Sequence, residues 1–264
     1  MTQSRTLIAY NTATASENRI HADDVAGKFG FTGGLVPGVD VFAYMAHAPR
    51  AQWGLDWLSE GRIKARFGTP VYDGDETTVT AQDQPDGTLS ISVQARGLDC
   101  ASGTAWRRDD SPPPALLPEA EVPRPEDRPD ASMESLPVGK VLGTLKEIFF
   151  ADVGLSNLQN TREDPALFDG GNLVSPGYML RRANYVLARS VKLGPWIHVE
   201  SDVRLHGLIS DGDLLETRAI VVANEEKNGH LIVTLDFTIA CRERLAMSGR
   251  HWAIYAPRQV RQLG

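Results

Sequence analysis

The sequence is poor in cysteine: its 264 residues include only Cys100 and Cys241. Two cysteines cannot form a disulfide framework or a cysteine-rich metal site, so a reducing compartment is expected. No stretch approaches the roughly 18 to 20 apolar residues of a membrane span. The first residues also lack the apolar core of a signal peptide. These absences predict a cytoplasmic protein with no membrane partner.

An excess of positive charge is also missing. The chain has 27 Lys and Arg residues against 34 Asp and Glu, which gives a net charge of −7 and an isoelectric point near 5.4. Proteins that bind nucleic acid need a basic face to displace the counterions of the phosphates. No nucleic-acid partner is therefore expected.

Patterns for cofactors and metals are absent as well. No G-x-G-x-x-G or Walker sequence follows a predicted strand, which argues against a nucleotide cofactor. Histidines that bind catalytic zinc lie at i, i+4 spacing with an acid between them. Five histidines lack that spacing: His47, His198, His206, His230 and His251. The sequence therefore predicts no cofactor and no metal.

A proline-rich segment divides the chain. Residues 109–138 contain eight of the 16 prolines, and acids dominate their charges. Proline removes backbone donors and favours an extended conformation, so this segment is predicted to be a semi-rigid spacer on the surface. The predicted domains are residues 1–108, the linker 109–138, and residues 139–264.

The two halves repeat the same landmarks in the same order. The sequence GLVPG at residues 34–38 recurs as LVSPG at 173–177, and Gly-Asp at 74–75 recurs at 212–213 with nearly the same spacing. In both halves a helical periodicity comes first and an alternating one follows. The pattern indicates an internal duplication.

Each half begins this pattern with one helix. In the first half Val39, Phe42, Ala43 and Ala46 have the spacing of one helix face, and the run breaks near Pro49. The second half repeats that spacing after residue 177. Alternation then predicts antiparallel strands. The predicted strands are 62–67, 77–81, 89–95, 199–205, 215–222 and 231–239.

One helix and several antiparallel strands can bury their apolar surface only if the sheet curls around the helix. This arrangement is a hot-dog. Two units in tandem would join their sheets edge to edge and remove two exposed edges. The predicted fold class is therefore α+β, a double hot-dog in which each curved antiparallel sheet surrounds one central helix.

Three stretches of the first half resemble the MaoC-like, (R)-specific enoyl-CoA hydratase family. Residues 17–23 (ENRIHAD) are similar to its D-x-N-P-[IL]-H-x-D motif. Residues 33–38 (GGLVPG) are similar to its G-x-[IL]-V-H-G helix start, and residues 67–75 (FGTPVYDGD) to its F-x-x-P-V-x-x-G-D turn. The resemblance covers about a hundred residues and implies acyl-thioester chemistry in this half.

The chain departs from the family at its catalytic acid. The family aspartate lies five residues before the histidine, and that position is Ser16 here; the motif proline is Arg19. Replacements for the acid are Glu17, Asp169, or a hydroxyl hydrogen bond from Ser16, which cannot act as a base. In the second half the histidine position falls near residues 161–162, so the resemblance implies a degenerate copy that covers the ligand.

The resemblance implies roles for four residues besides Ser16, Glu17 and Asp169. His21 is the expected acid/base, because imidazole titrates near neutrality. The backbone N–H of Gly38 starts a helix and is the expected oxyanion donor. The resemblance also implies that Asn18 and Val36 bind the substrate beside Gly38. A plain loop-to-helix role for His21 and a plain helix-entry role for Gly38 would give the same sequence.

The expected function is hydration of an enoyl-CoA or dehydration of a 3-hydroxyacyl-CoA, with an acyl thioester as the partner. A thioesterase, a dehydratase or lyase acting on a non-CoA substrate, and a non-catalytic acyl-ligand-binding protein are the alternatives. A homodimer of the fused chain is compatible with the sequence.

Overall fold

We describe residues 1–14, 16–27 and 30–258 from a computed structural model. The strands are β1 (Thr2–Ile8), β2 (Arg62–Phe67), β3 (Glu76–Asp83), β4 (Leu89–Ala95), β5 (Leu98–Trp106), β6 (Leu145–Ile148), β7 (Ile197–Leu205), β8 (Leu214–Lys227), β9 (His230–Cys241) and β10 (Arg244–Ala256). The α-helices are α1 (Asp23–Ala26), α2 (Gly38–Trp53), α3 (Trp57–Glu60), α4 (Ala151–Asn160) and α5 (Pro176–Ser190).

These strands form one antiparallel sheet in the order β1-β3-β4-β5-β2-β7-β10-β9-β8-β6. The first five and the last five have the same topology, read outward from the centre. The strands form where successive residues alternate between the core and the solvent face. In β4, for example, Leu89, Ile91 and Val93 are buried and Ser90 is exposed. The observed sheet confirms the predicted α+β fold class.

Strands β2 and β7 pair antiparallel at the centre and make the sheet continuous. The guanidinium of Arg62 donates to both carboxylate oxygens of Asp202, at 2.8 and 2.7 Å. Lys64 forms a second ion pair across the same junction with Glu200, at 3.1 Å. Because neither β2 nor β7 is an edge strand, the junction covers two strand edges that separate halves would expose.

Helix α2 is the central helix of the first half, and most of its residues are buried. It contacts β2, β3, β4 and β5 of its own half, β7 of the other half, and α5. The prediction that the helix breaks near Pro49 is wrong, since α2 continues through Pro49 to Trp53. Near the end of a helix proline removes only one hydrogen bond, and the burial of Ala48 and Arg50 against the core stabilises this turn.

The proline-rich segment lies against the second half. Within 109–138, all of which the structure describes, a short 3-10 turn at Pro125–Asp127 is the only helical element. Ala120 and Thr144 exchange hydrogen bonds of 3.2 and 2.9 Å, and Leu136 is fully buried. The segment is therefore anchored along its length. The domain boundaries at 108 and 139 stay a prediction.

Candidate active site

A 3-10 turn, Arg19–His21, holds His21 beside the loop that leads into α2. The His21 Nδ1 atom lies 2.6 Å from the carbonyl oxygen of Leu35. A carbonyl oxygen only accepts, so Nδ1 carries the proton and Nε2 is the unprotonated, basic nitrogen of a neutral ring, placed to accept the Asn18 amide. The side-chain nitrogen of Asn18 lies 3.3 Å from Nε2. Backbone and amide contacts therefore fix both the tautomer and the ring orientation.

The pKa of His21 is lowered to about 4, chiefly by burial. The hydrogen bond to Leu35 opposes this shift, and the positive charge of Arg181 adds to it. A base with this pKa is unprotonated throughout the neutral range. His21 is thus ready to accept a proton at Nε2 but binds one weakly.

Asn18 connects this turn to the second half of the chain. Its Nδ2 donates to the carbonyl of Trp196 at 3.0 Å, and the backbone N–H of Trp196 donates to its Oδ1 at 3.2 Å. Asn18 is buried. An amide that is paired on both sides holds the His21 turn against the segment that leads into β7.

Gly38 is the first residue of α2, so its N–H is one of the unpaired donors at the positive end of the helix. A Cβ atom added there would lie 2.8 Å from His198 Nδ1. The position therefore has no room for a side chain. Val36 is buried nearby, and its backbone N–H donates to Val71 at 2.9 Å while its side chain lines the adjacent cavity.

Two cavities meet at His21. The inner one has a volume of about 190 Å³ and mostly apolar walls, and Gly38 and Val36 line it. The outer one has a volume of about 640 Å³. Five residues line both: Asn18, His21, Pro37, Asn184 and Trp196. An elongated ligand with an apolar end and a polar end would pass His21 where these cavities join.

None of the three replacement candidates for the missing acid lines the inner cavity, although Ser16 and Glu17 line the outer one. Ser16 lines the outer cavity, and its hydroxyl accepts the Asn18 N–H at 3.1 Å. The Glu17 side chain is 86% exposed and lies 3.9 Å from Arg128. Asp169 is exposed and contributes to the lining of neither cavity. Among the described residues that line the inner cavity, none is Asp or Glu.

Six residues of the second half line the inner cavity. Three of them carry polar ring or amide groups and were not predicted as site residues: Asn184 on α5, Trp196, and His198 on β7. His198 Nδ1 and Asn184 Oδ1 are buried and have no hydrogen-bond partner within the described part of the chain. No sequence signal pointed to these residues, because His198 was considered only as a zinc ligand and the family motifs cover the first half. The second half thus forms part of the cavity wall.

The described residues contain neither a metal-binding cluster nor a membrane-spanning helix. Outside residues 15, 28–29 and 259–264, no cluster of three or more His, Cys, Asp or Glu side chains is arranged to hold a metal ion. In the same part of the chain, no helix has both the length and the apolar character needed to cross a membrane.

Comparison with solved structures identifies the fold. A protein from Chloroflexus aurantiacus assigned as a MaoC-domain dehydratase superposes with a TM-score of 0.64 at 11% identity, over 97% of this chain and 95% of that one. A conserved hypothetical protein from Mycobacterium tuberculosis, described as having a double hot-dog fold, superposes with a TM-score of 0.62 at 13% identity, over 96% of each chain. This chain is a double hot-dog.

Thioesterase-named proteins share the double hot-dog fold more distantly. A protein from Lactobacillus plantarum named as an oleoyl thioesterase superposes with a TM-score of 0.54 at 10% identity, over 97% of each chain. No protein-family profile matches this chain, and no curated protein matches it by sequence. At these identities the comparisons establish the fold and do not identify the reaction.

Proposed function

We propose that this double hot-dog protein adds water to an enoyl-CoA, or removes it from a 3-hydroxyacyl-CoA. One observation carries the proposal: His21, whose Nε2 atom is unprotonated, lines both an apolar and a polar cavity where they join, near the N-terminus of α2. The dehydratases among its structural neighbours support the same reaction class.

In the proposed hydration, His21 alone handles the protons. Nε2 takes a proton from water as the water oxygen bonds to C3 of the enoyl group, and the carbon–carbon π electrons move toward the thioester oxygen. Nε2 then returns the proton to C2, which restores the carbonyl and the neutral ring. Water is consumed and no other reactant is needed. The reverse sequence is the dehydration.

The thioester oxygen carries the developing negative charge in this reaction. Placed at the N–H of Gly38, it would lie at the positive end of α2, in a cavity with mostly apolar walls. Donors fixed in advance around such an oxygen lower the barrier, because they need no reorganisation when the charge forms.

The outer cavity is suited to the phosphate-bearing part of coenzyme A. Four cations line it: Arg128, Arg181, Arg189 and Lys192. Arg181 is paired with Asp40, whereas Arg189 and Lys192 are exposed. A phosphate group in this cavity would therefore meet cations that remain accessible.

The proposed reaction is expected to be slower than one that uses a carboxylate and a histidine. The inner cavity has no acid among its described lining residues, and a positioned acid or base contributes about 10²- to 10⁴-fold in rate. We propose the cytoplasm as the compartment, where the buried thiols of Cys100 and Cys241 stay reduced. The protein could also assemble as a homodimer.

Hydration can be measured directly. With crotonyl-CoA and longer enoyl-CoA substrates, the wild type should remove the conjugated enoyl absorbance, and His21→Ala should lower kcat about 10²- to 10⁴-fold. His230→Ala is a matched control, because His230 lines neither cavity. An inactive wild type at all chain lengths, or a fully active His21→Ala variant, would contradict the proposal.

A thioesterase is the second candidate, because Nε2 of His21 could instead direct water at the thioester carbonyl, and one structural neighbour is named as a thioesterase. A thiol-reactive dye separates the two reactions. Hydrolysis releases free coenzyme A, whereas hydration leaves the thioester intact. Tight binding of acyl-CoA without either reaction would indicate the binding-protein alternative.

A further inference from the structure

A chain of three buried polar side chains leads from the core of the second half to the inner cavity. The hydroxyl of Ser201 lies 2.8 Å from His198 Nε2 and 3.0 Å from His251 Nδ1. Ser201 and His251 are fully buried and His198 is 6% exposed. Such a connected chain inside an apolar core is costly to bury unless each polar group is satisfied.

The two outer nitrogens of this chain, His198 Nδ1 and His251 Nε2, have no hydrogen-bond partner among the described residues, and of the two rings only that of His198 lines the inner cavity. His198 lines the inner cavity, and its Nδ1 atom is buried without a hydrogen bond. The ring is held between Phe67 and His251, whose ring centroids lie 4.5 and 4.2 Å away. A fixed, unpaired ring nitrogen in a cavity wall indicates a group that a ligand satisfies, because most buried polar atoms are paired.

The unpaired nitrogen lies at the start of α2. The 2.8 Å distance from His198 Nδ1 to a Cβ atom added at Gly38 places the imidazole against the backbone of that residue. A ligand oxygen at the Gly38 N–H would therefore lie beside Nδ1. The first half supplies the helix terminus and the second half supplies the imidazole.

We infer that His198 is a second hydrogen-bond donor to the thioester oxygen that Gly38 binds, and that Ser201 is a positioning residue for it. This inference rests on the proposed function. We assign the protons in one direction: His251 Nδ1–H donates to the Ser201 oxygen, the Ser201 hydroxyl donates to His198 Nε2, and His198 Nδ1–H donates to the ligand.

The charge state of the two rings is compatible with this assignment. Burial holds the pKa of His198 well below its usual value, and the neighbouring His251 lowers it further. Burial also lowers the pKa of His251 to about 3. Both rings are then neutral near pH 7, and a neutral imidazole has one N–H and one acceptor nitrogen, as the directed chain requires.

Two amide substitutions separate the two nitrogens of His198. The side-chain amide of His198→Asn reaches the position of Nδ1, and that of His198→Gln reaches the position of Nε2. If the nitrogen at the cavity matters, His198→Asn should keep kcat for enoyl-CoA hydration within about tenfold, whereas His198→Gln should lower it by about 10²-fold with little change in KM. A purely structural role for the Ser201 contact predicts the opposite order.

Binding of acetoacetyl-CoA gives a readout that does not need turnover. Its enolate absorbs in the near ultraviolet, and donors to the thioester oxygen increase the bound enolate fraction. The enolate band should be strong with the wild type and His198→Asn, and weak with His198→Gln. Ser201→Ala should also weaken it, because the hydrogen bond that orients His198 is lost, and it serves as the second variant if His198→Gln does not fold.

The outcomes distinguish the two hypotheses. Failure of the wild type to hydrate any enoyl-CoA overturns the proposed function, and the enolate comparison still tests His198. No enolate band with the wild type, equal bands in the Asn and Gln variants, or an unchanged band in Ser201→Ala would overturn the inference.

Discussion

One ring nitrogen of His21 is left for chemistry, because the other donates to the carbonyl of Leu35 at 2.6 Å. In the family that the first half resembles, an aspartate accompanies this histidine, and Ser16 stands at its position. Here Ser16 accepts a hydrogen bond from the backbone of Asn18. Its hydroxyl therefore supports the turn that holds His21 and does not replace the base.

Buried neutral histidines also make the stability of the fold depend on pH. His251 is the clearest case, since it is fully buried and burial lowers its pKa to about 3. In the unfolded chain the pKa is about 6.5. Between these values the unfolded state binds a proton that the folded state does not, so stability falls by about 1.4 kcal/mol for each pH unit toward acid.

We predict that His251→Asn removes the part of the pH dependence of stability that His251 contributes. Asparagine keeps an amide at the position of Nδ1, close to Ser201, and does not titrate. The variant should be less stable than the wild type near pH 7, and that deficit should shrink by about 2 kcal/mol near pH 5. Urea unfolding of both proteins at each pH measures the difference. A deficit that stays constant with pH would contradict the prediction.

At the scale of the elements, helices α2 and α5 are in close contact at Gly177. A Cβ atom added at Gly177 would lie 2.6 Å from the Cβ atom of Ala43 and 3.2 Å from its Cα atom. Neither atom can move without shifting α2. Because α2 carries Gly38 at its start, the contact links the packing of the second helix to the candidate site.

Gly177→Ala is therefore predicted to destabilise the protein by about 1 to 3 kcal/mol, because overpacking outweighs the helix propensity that alanine gains. Thermal or urea unfolding measures the loss. Gly194→Ala is the matched control, since nothing lies within 4 Å of a Cβ atom at that position. An equally small effect of both substitutions would show that the helices can separate without cost.

The sequence predicted the central helices and several strands within a few residues. The predicted strands 62–67 and 89–95 coincide with β2 and β4. The alternation of apolar and polar residues predicted both strands. Strands β1, β5, β6 and β10 and helices α3 and α4 were missed. Of these strands, β1 reads TQSRTLI and β5 reads LDCASGTAW, with many small or polar residues. Pairing with neighbouring strands, and not local pattern, makes these segments extended.

At the scale of the whole molecule, the pairing of β2 with β7 joins the two similar halves into one continuous sheet. The cavity depends on it, because His21 and Gly38 come from the first half while Asn184, Trp196 and His198 come from the second. The second copy was predicted to be degenerate and to cover the ligand, but the prediction named none of these three residues. That copy has no counterpart of His21, yet it forms part of the cavity wall.

Separated halves test this dependence. Residues 1–108 and 109–264 expressed alone should aggregate, because each would expose the edge of β2 or β7 and an apolar helix face. Expressed together, they should elute as one complex and recover enoyl-CoA hydration. Size-exclusion chromatography and the absorbance assay measure both results. A soluble, active fragment 1–108 would show that the second half is dispensable for catalysis.

The sequence by itself determined the duplicated order of one helix followed by alternating strands, because helical and strand periodicities are local properties of the chain. It also placed His21 and Gly38 near each other in the first half. Only the tertiary structure decided what faces them. Asn18 meets Trp196, 178 positions away, and His198 meets Gly38 because β2 pairs with β7. Such contacts depend on strand pairing and packing between distant segments, which no local pattern encodes.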